Sequence, residues 1–174
     1  MNEQLKFYMV ANYLMYKNGE FAEYDRYNSE MEEYLAEVLV QVEKESDEWA
    51  YEYADRKVAF WKEHQDLPHY FIGSGNQYGA TYSYAMCYWE EQMWIRTKSI
   101  SCQEFFHGMQ EIIVADTPVT LFIGEDEQRP LAERVARFLP KVNANYTIKN
   151  FFDMFDIFNM TRIVNIAAGM LLGL

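Results

Sequence analysis

Residues 69–111 read HYFIGSGNQYGATYSYAMCYWEEQMWIRTKSISCQEFFHGMQE, and the reading of this stretch decides the fold. His69-Tyr70-Phe71-Ile72 is a short apolar run between Pro68 and Gly73, which is how a buried strand over 69–73 reads. Gly73-Ser74-Gly75-Asn76 then allows a tight turn, because glycine tolerates positive φ and lets a backbone approach a ligand closely. From Gln77 to Trp94 no proline interrupts a run in which Ala, Met, Glu and aromatic residues recur, and this predicts a helix. A strand, a glycine-rich turn and a helix in that order present N–H groups at a positive dipole end, where phosphates and other anions bind. Dinucleotide chemistry is excluded by the spacing. Gly73, Gly75 and Gly79 fall as G-x-G-x-x-x-G, one residue longer than the fingerprint, and the next strand, Lys98–Cys102, ends without an acidic residue to hold a ribose. A Gly-Lys-Ser/Thr phosphate loop is also missing.

Downstream, Pro118 to Gly124 reads as a buried strand over 119–123, and Arg129–Phe138 as a helix with Leu131, Val135 and Phe138 on one side, ended by Pro140. Ala144–Ile148 is expected as a fourth strand. Upstream, residues 1–18 form an expected amphipathic helix ended at Gly19, and Tyr27-Asn28 a short connection. Ser29-Glu30-Met31-Glu32 matches a capping box at the head of a long helix over 29–64, stopped by Asp66-Leu67-Pro68. Met31, Leu35, Val38, Val42, Trp49, Tyr53 and Phe60 keep helical spacing, while Glu33, Glu37, Glu43, Glu48 and Asp55 make a solvated opposite face. Strands alternating with helices give an α/β fold: a parallel sheet of about four to five strands flanked by helices and preceded by two helices. At the far end, Ile163–Leu174 carries no charge but is too short for a bilayer, which needs ~20 apolar residues; a core or interface helix is expected.

The chain has 174 residues, half of them hydrophobic, and a formal charge of −12. That length suits one domain with a real core. The acidic balance argues against nucleic acid and against an anionic membrane surface as partners, although local N–H groups can still hold a sugar phosphate. Cys87 and Cys102 are too far apart for a C-x-x-C motif and too few for a disulfide framework. The start lacks the basic and apolar regions of a signal peptide, so the cytoplasm is expected. His64, His69 and His107 lack ligand spacing, so no metal is expected.

Read from the residues alone, Glu91 is a surface or paired carboxylate near a helix end. His107, between Phe106 and Gly108, reads as a hydrogen-bonded core residue, and Glu104 as the cap of a short turn. Glu90 and Glu91 are adjacent, so on a helix they diverge and cannot act as a pair.

A resemblance changes those readings. GSGNQYGATYSYAMCYWEEQMW (73–94), followed by QEFFHGMQEIIVADTPVTLFIGED (103–126), resembles the second unit of sugar isomerase (SIS) domain proteins, whose fold is flavodoxin-like. It is most similar to the fructosamine-6-phosphate deglycases, of the fructoselysine-6-phosphate type, and more distantly to the isomerase half of glucosamine-6-phosphate synthase. The match covers about residues 65–140 and stops at Lys149. It divides the chain into a helical inter-unit segment (1–64), a second SIS unit (65–148) and a divergent apolar tail (149–174).

The resemblance implies a catalytic Glu91, in Trp89-Glu90-Glu91-Gln92, and a catalytic His107, in Glu104-Phe105-Phe106-His107-Gly108, at the family's spacing. It implies that Gly73, Ser74, Gly75, Asn76, Tyr78 and Glu104 bind substrate, with no cofactor and no metal. His107 would open the sugar ring, and Glu91 would move a proton between C1 and C2, turning the ketoamine of a fructosamine 6-phosphate into a Schiff base. Water then releases glucose 6-phosphate and an amine. His107 is expected to serve a neighbouring subunit, which implies a homodimer or higher oligomer. Within one subunit, Glu91 and His107 are expected to lie far apart. The Ser/Thr-rich phosphate loop of a first SIS unit is not found, so the chain is expected to be an amino-terminally truncated member or a fragment. Three alternatives remain: a non-catalytic sugar-phosphate-binding module, an inactive oligomerisation fragment, or an aldose–ketose phosphosugar isomerase. Without a basic helix-turn-helix, a DNA-binding regulator is disfavoured.

Overall fold

In a computed structural model, residues 2–143 and 145–150 are described. Ala144 and the expected helix over 163–174 lie outside them. Four short strands, β1 (His69–Gly73), β2 (Thr97–Ser101), β3 (Val119–Ile123) and β4 (Tyr146–Asn150), pair in parallel in the order β2-β1-β3-β4. The register sets Ile72 beside Ile100 on one side and Leu121 on the other. Helices cover both faces, as a parallel sheet requires.

Side-chain alternation divides the core in two. Ile72, Val119, Leu121 and Ile123 face the short helix α4 (Cys102–Phe105) and α5 (Arg129–Val142), against Phe105, Val135 and Leu139. Phe71 points the other way, into a cluster with Tyr53, Ala85, Trp89 and Ile95. Phe71, Ile72 and Leu121 are fully buried, each contributing roughly 1.5–3 kcal/mol of apolar transfer.

Two helices precede the sheet: α1 (Asn2–Lys17), ended by Gly19 at φ +77, and α2 (Tyr24–Glu63). The expected capping box at Ser29 does not form. The helix begins at Tyr24, so Tyr27-Asn28 is helical, and the Ser29 hydroxyl donates to the carbonyl of Asp25 at 3.0 Å. The reason is aromatic packing. Tyr24 stacks on Tyr16 at 4.7 Å, and Tyr27 packs on Phe21 at 5.6 Å, which holds this first turn in place.

Four other boundaries differ from expectation. The helix after the glycine turn is α3 (Asn76–Ser83) continued by a π-helical stretch over Tyr84–Glu90. Its widened turn buries both Ala85 and Trp89, and the Trp89 ring lies 4.5 Å from His69 and 5.1 Å from Phe71. Pro140 does not stop α5, which runs on to Val142. Proline removes one hydrogen bond in the last turn, and Asn143 anchors that end by donating to the carbonyls of Val114 and Thr117, both at 2.7 Å. Asn145 in turn gives its carbonyl to the Val119 amide, so β4 starts at Tyr146 rather than at 144. Finally, β2 ends at Ser101, whose hydroxyl accepts the Glu104 amide at 3.3 Å and caps α4, so Cys102 is helical.

Candidate functional site

The chain leaves β1 for β2 on one side and crosses back to β3 on the other. A crevice therefore opens between the carboxyl ends of β1 and β3, where ligands bind in open parallel sheets. The Gly73-Ser74-Gly75 turn and the Gly124–Gln128 loop meet there. Gly75 has φ +56, and a Cβ on it would overlap the Asp126 carboxylate. A Cβ on Gly124 would lie 2.7 Å from Cγ of Gln77. Glycine at Gly75 fits both its positive φ and the Asp126 carboxylate beside it, and glycine at Gly124 leaves room for the Gln77 side chain of α3.

Gln128 joins the edge. Its Oε1 accepts the Gly75 amide at 3.1 Å and the side-chain amide of Gln103. Its carbonyl accepts the buried Ser74 hydroxyl at 3.5 Å, and its own amide donates to Oδ1 of Asp126 at 2.8 Å. Beyond it, Arg129 donates to the carbonyl of Gly124 and to Oδ1 of Asn150, each at 3.1 Å, and pairs with Glu125 and Glu133. The carboxyl ends of all four strands thus converge on one polar rim. Gln103, Asp126, Gln128 and Arg129 were not legible as site residues. The signal was positional: each follows the end of a strand.

The expected site residues divide between two edges. Gly73 closes against Thr81, whose hydroxyl donates to the carbonyl of Gln77 at 2.6 Å, so its role includes helix–strand packing. Ser74 and Gly75 belong to the crevice. Asn76 opens α3, and Tyr78 is half-buried on its first turn. The turn's amides are not all free, contrary to the sequence reading. Gly75 donates to Gln128, Gln77 to the Ser74 carbonyl at 3.0 Å, and Tyr78 to the Gly75 carbonyl at 3.1 Å.

Glu104 is exposed on α4, and His107 is exposed just after it, its amide donating to the Glu104 carbonyl at 2.9 Å. His107 is therefore not the core residue that its apolar neighbours imply. Glu91 is exposed at the other edge, immediately after the π-helical stretch. Its neighbour Glu90 accepts the hydroxyl of Thr97, the first residue of β2, at 2.6 Å. Glu91 and His107 are thus separated by about the length of β2, on the order of 13 Å. Beside Glu90, an open cleft of about 470 Å³ is lined by Pro68, Trp94, Ile95, Arg96 and Thr97.

The buried histidine is His69. Its Nε2 lies 2.8 Å from the Thr120 hydroxyl, and the Tyr53 hydroxyl lies 2.8 Å from the same oxygen. Burial holds His69 well below the usual histidine range and lowers Lys57 to about 8. These groups bind α2 to the sheet. Burial also raises the Cys102 thiol to about 11, which makes it a poor nucleophile at neutral pH. Among the described residues, no three His, Cys, Asp or Glu gather to hold a metal ion.

No family model matches the chain. Over 96 residues, 55% of its length, it is 38% identical to fructosamine deglycase FrlB of Bacillus subtilis (strain 168), of which that match covers 29%. Over that stretch the chain is similar to this deglycase. In structure, the chain superposes with a TM-score of 0.60 and 30% identity on a Bacillus subtilis protein described as a phosphosugar isomerase, covering 78% of this chain and 42% of that one. A Salmonella typhimurium LT2 protein of the same description matches with a TM-score of 0.74 and 25% identity, over 91% and 47%. The four-stranded parallel sheet flanked by helices, with two helices before it, matches the fold of these phosphosugar isomerase neighbours. The chain spans less than half the length of each of these relatives. Among its described residues, no helix is long and apolar enough to cross a membrane.

Proposed function

We propose that the chain is the second SIS unit of a sugar-phosphate deglycase, which splits fructosamine 6-phosphates into glucose 6-phosphate and an amine. The observation that carries this reading is the polar rim at the β1/β3 crevice, in a chain 38% identical to a fructosamine deglycase. Ser74, Gly75, Gln103 and Gln128 offer the short-range donors and acceptors that fix a polyhydroxylated ligand. His107, after the second strand at the same edge, is exposed, so its ring is within reach of a ligand there.

Glu91 takes the proton from C1 of the open-chain ketoamine and returns it at C2. The C1–N bond becomes the Schiff base, the C2 carbonyl becomes a hydroxyl, and water then adds at C1 and expels the amine. Because Glu91 and His107 stand at opposite edges of the sheet, one pocket uses both only across a contact between copies. A non-catalytic sugar-phosphate-binding module is the second reading. It is favoured by the exposure of Glu91, since a base for carbon acids is tuned by burial.

Exchange at C1 separates the two readings. In D₂O, the purified chain with a fructosamine 6-phosphate is expected to incorporate deuterium at C1. Glu91→Gln should abolish the exchange while changing ligand affinity by less than about threefold, because it keeps shape and removes the proton carrier. Equal exchange in both proteins contradicts the role of Glu91. Binding without exchange in the wild type selects the non-catalytic module.

A further inference from the structure

Trp94 stands where a helix usually carries glycine. Its amide donates to the carbonyl of Glu90 at 3.1 Å and the Ile95 amide to that of Trp89 at 2.9 Å, so the π-helical stretch closes in a left-handed cap. Trp94 takes the capping position at φ +57, and among the described residues it is the one non-glycine residue with positive φ. A Cβ in this conformation crowds the backbone, and a bulky residue bears that strain in full. Burial does not offset it, because Trp94 is 87% exposed. The fold thus gains little from this indole, which forms one wall of the cleft of about 470 Å³. That volume suits a small molecule. The cleft lies at the amino ends of β1 and β2, away from the crevice at the carboxyl ends.

Two charges of opposite sign share this cleft. The Arg96 guanidinium is fixed through Nη2, which donates to the carbonyls of Asp66 at 2.7 Å and Gln65 at 3.3 Å. The Glu90 carboxylate is fixed through Oε1, which accepts the Thr97 hydroxyl at 2.6 Å. Both residues are exposed, and among the described residues neither is in a salt bridge, with the other or with a third group. Kept out of contact with each other, they offer a cation and an anion between the apolar walls of Pro68, Trp94 and Ile95. We infer that the cleft is a binding site for a free α-amino acid with an apolar side chain. Its carboxylate meets the open edge of Arg96, its ammonium lies between Glu90 and the face of Trp94, and its side chain lies along Pro68 and Ile95. The inference goes beyond the sugar-phosphate reading and does not depend on it.

Titration of the ¹⁵N-labelled chain with L-phenylalanine and with L-leucine tests this, read at the Trp94 indole N–H and at the Ile95 and Thr97 amides. A saturable shift at these groups with either amino acid is the expected result. Hydrocinnamate, which lacks the ammonium of L-phenylalanine, and phenethylamine, which lacks its carboxylate, should bind at least about tenfold more weakly. Glu90→Gln keeps the acceptor for Thr97 and removes the charge. It should weaken L-phenylalanine about tenfold and leave hydrocinnamate unchanged. Trp94→Gly should weaken binding by a similar factor while raising the midpoint of denaturation, because glycine relaxes the cap. A lower midpoint would make the indole part of the fold and overturn the inference. Equal affinity for the amino acid and its one-charge analogues also overturns it, as does the absence of a saturable shift with both amino acids. Sedimentation covers the other use of an exposed indole. Self-association of the wild type that Trp94→Gly abolishes, without amino-acid binding, assigns Trp94 to a contact between copies and overturns the amino-acid site.

Discussion

Lys57 shows at the residue scale how burial becomes a measurable property. It is 6% exposed on α2, with its ammonium 3.4 Å from Oδ1 of Asn145 and 5.8 Å from the centre of the Tyr53 ring. His69, Arg56 and Asn145 surround it without supplying a negative charge. Its pKa falls from 10.5 to about 8, chiefly through burial and then through Arg56. Between these values the unfolded chain binds more protons than the folded one, so this group makes stability rise with pH across that window. Below it, Lys57 is charged in both states and the fold bears the desolvation cost. Denaturation at pH 7 and at pH 9.5 should therefore show a gain on going up. Lys57→Met should remove the gain and stabilise the protein at pH 7 by on the order of 1–2 kcal/mol. An unaltered pH dependence in that variant contradicts the assignment. His69 acts in the same sense lower down. Held neutral by burial, it lets stability fall as pH drops through its ordinary value of 6.5, where only the unfolded chain takes the proton.

Among the elements, the long helix α2 depends on a few contacts for its seat on the sheet. Tyr53 stacks on Trp49 at 4.8 Å, meets Trp89 edge-on at 6.4 Å, and shares the Thr120 hydroxyl with His69. Tyr53→Phe keeps the ring and removes one buried hydrogen bond, at an expected cost of about 1 kcal/mol. Trp89→Ala takes a large ring out of the middle of the cluster and should cost about 3–5 kcal/mol in the same denaturation experiment. If the tryptophan variant loses no more than the tyrosine variant, the seat of α2 is not this cluster. The strands at 69–73 and 119–123 were legible because Pro68, Gly73, Pro118 and Gly124 bracket short apolar runs. The start of α2 was not. A local capping pattern at Ser29 competed with ring packing between Tyr16, Phe21, Tyr24 and Tyr27, and contacts between separate segments carry no local signature. The π-helical turn was hidden for a similar reason: it exists to place Trp89 on strand residues His69 and Phe71.

For the molecule as a whole, topology explains which parts of the site could be read in advance. Ser74 and Gly75 were visible because a glycine turn after the first strand is a local pattern. Asp126, Gln128 and Gln103 come to the same crevice only because β1 lies between β2 and β3, an order that no short motif encodes. The same topology sends Glu91 to the opposite edge from His107, in line with the expectation that the two lie far apart within one subunit. The central proposal is therefore about place: that sugar phosphate binds at the carboxyl edge of β1 and β3. Chemical-shift mapping of the ¹⁵N-labelled chain with a fructosamine 6-phosphate tests that claim directly. The largest perturbations are expected at the amides of Ser74, Gly75, Gln103 and Gln128. Perturbations confined to the cleft lined by Trp94, Ile95, Arg96 and Thr97, or none at all, would contradict it.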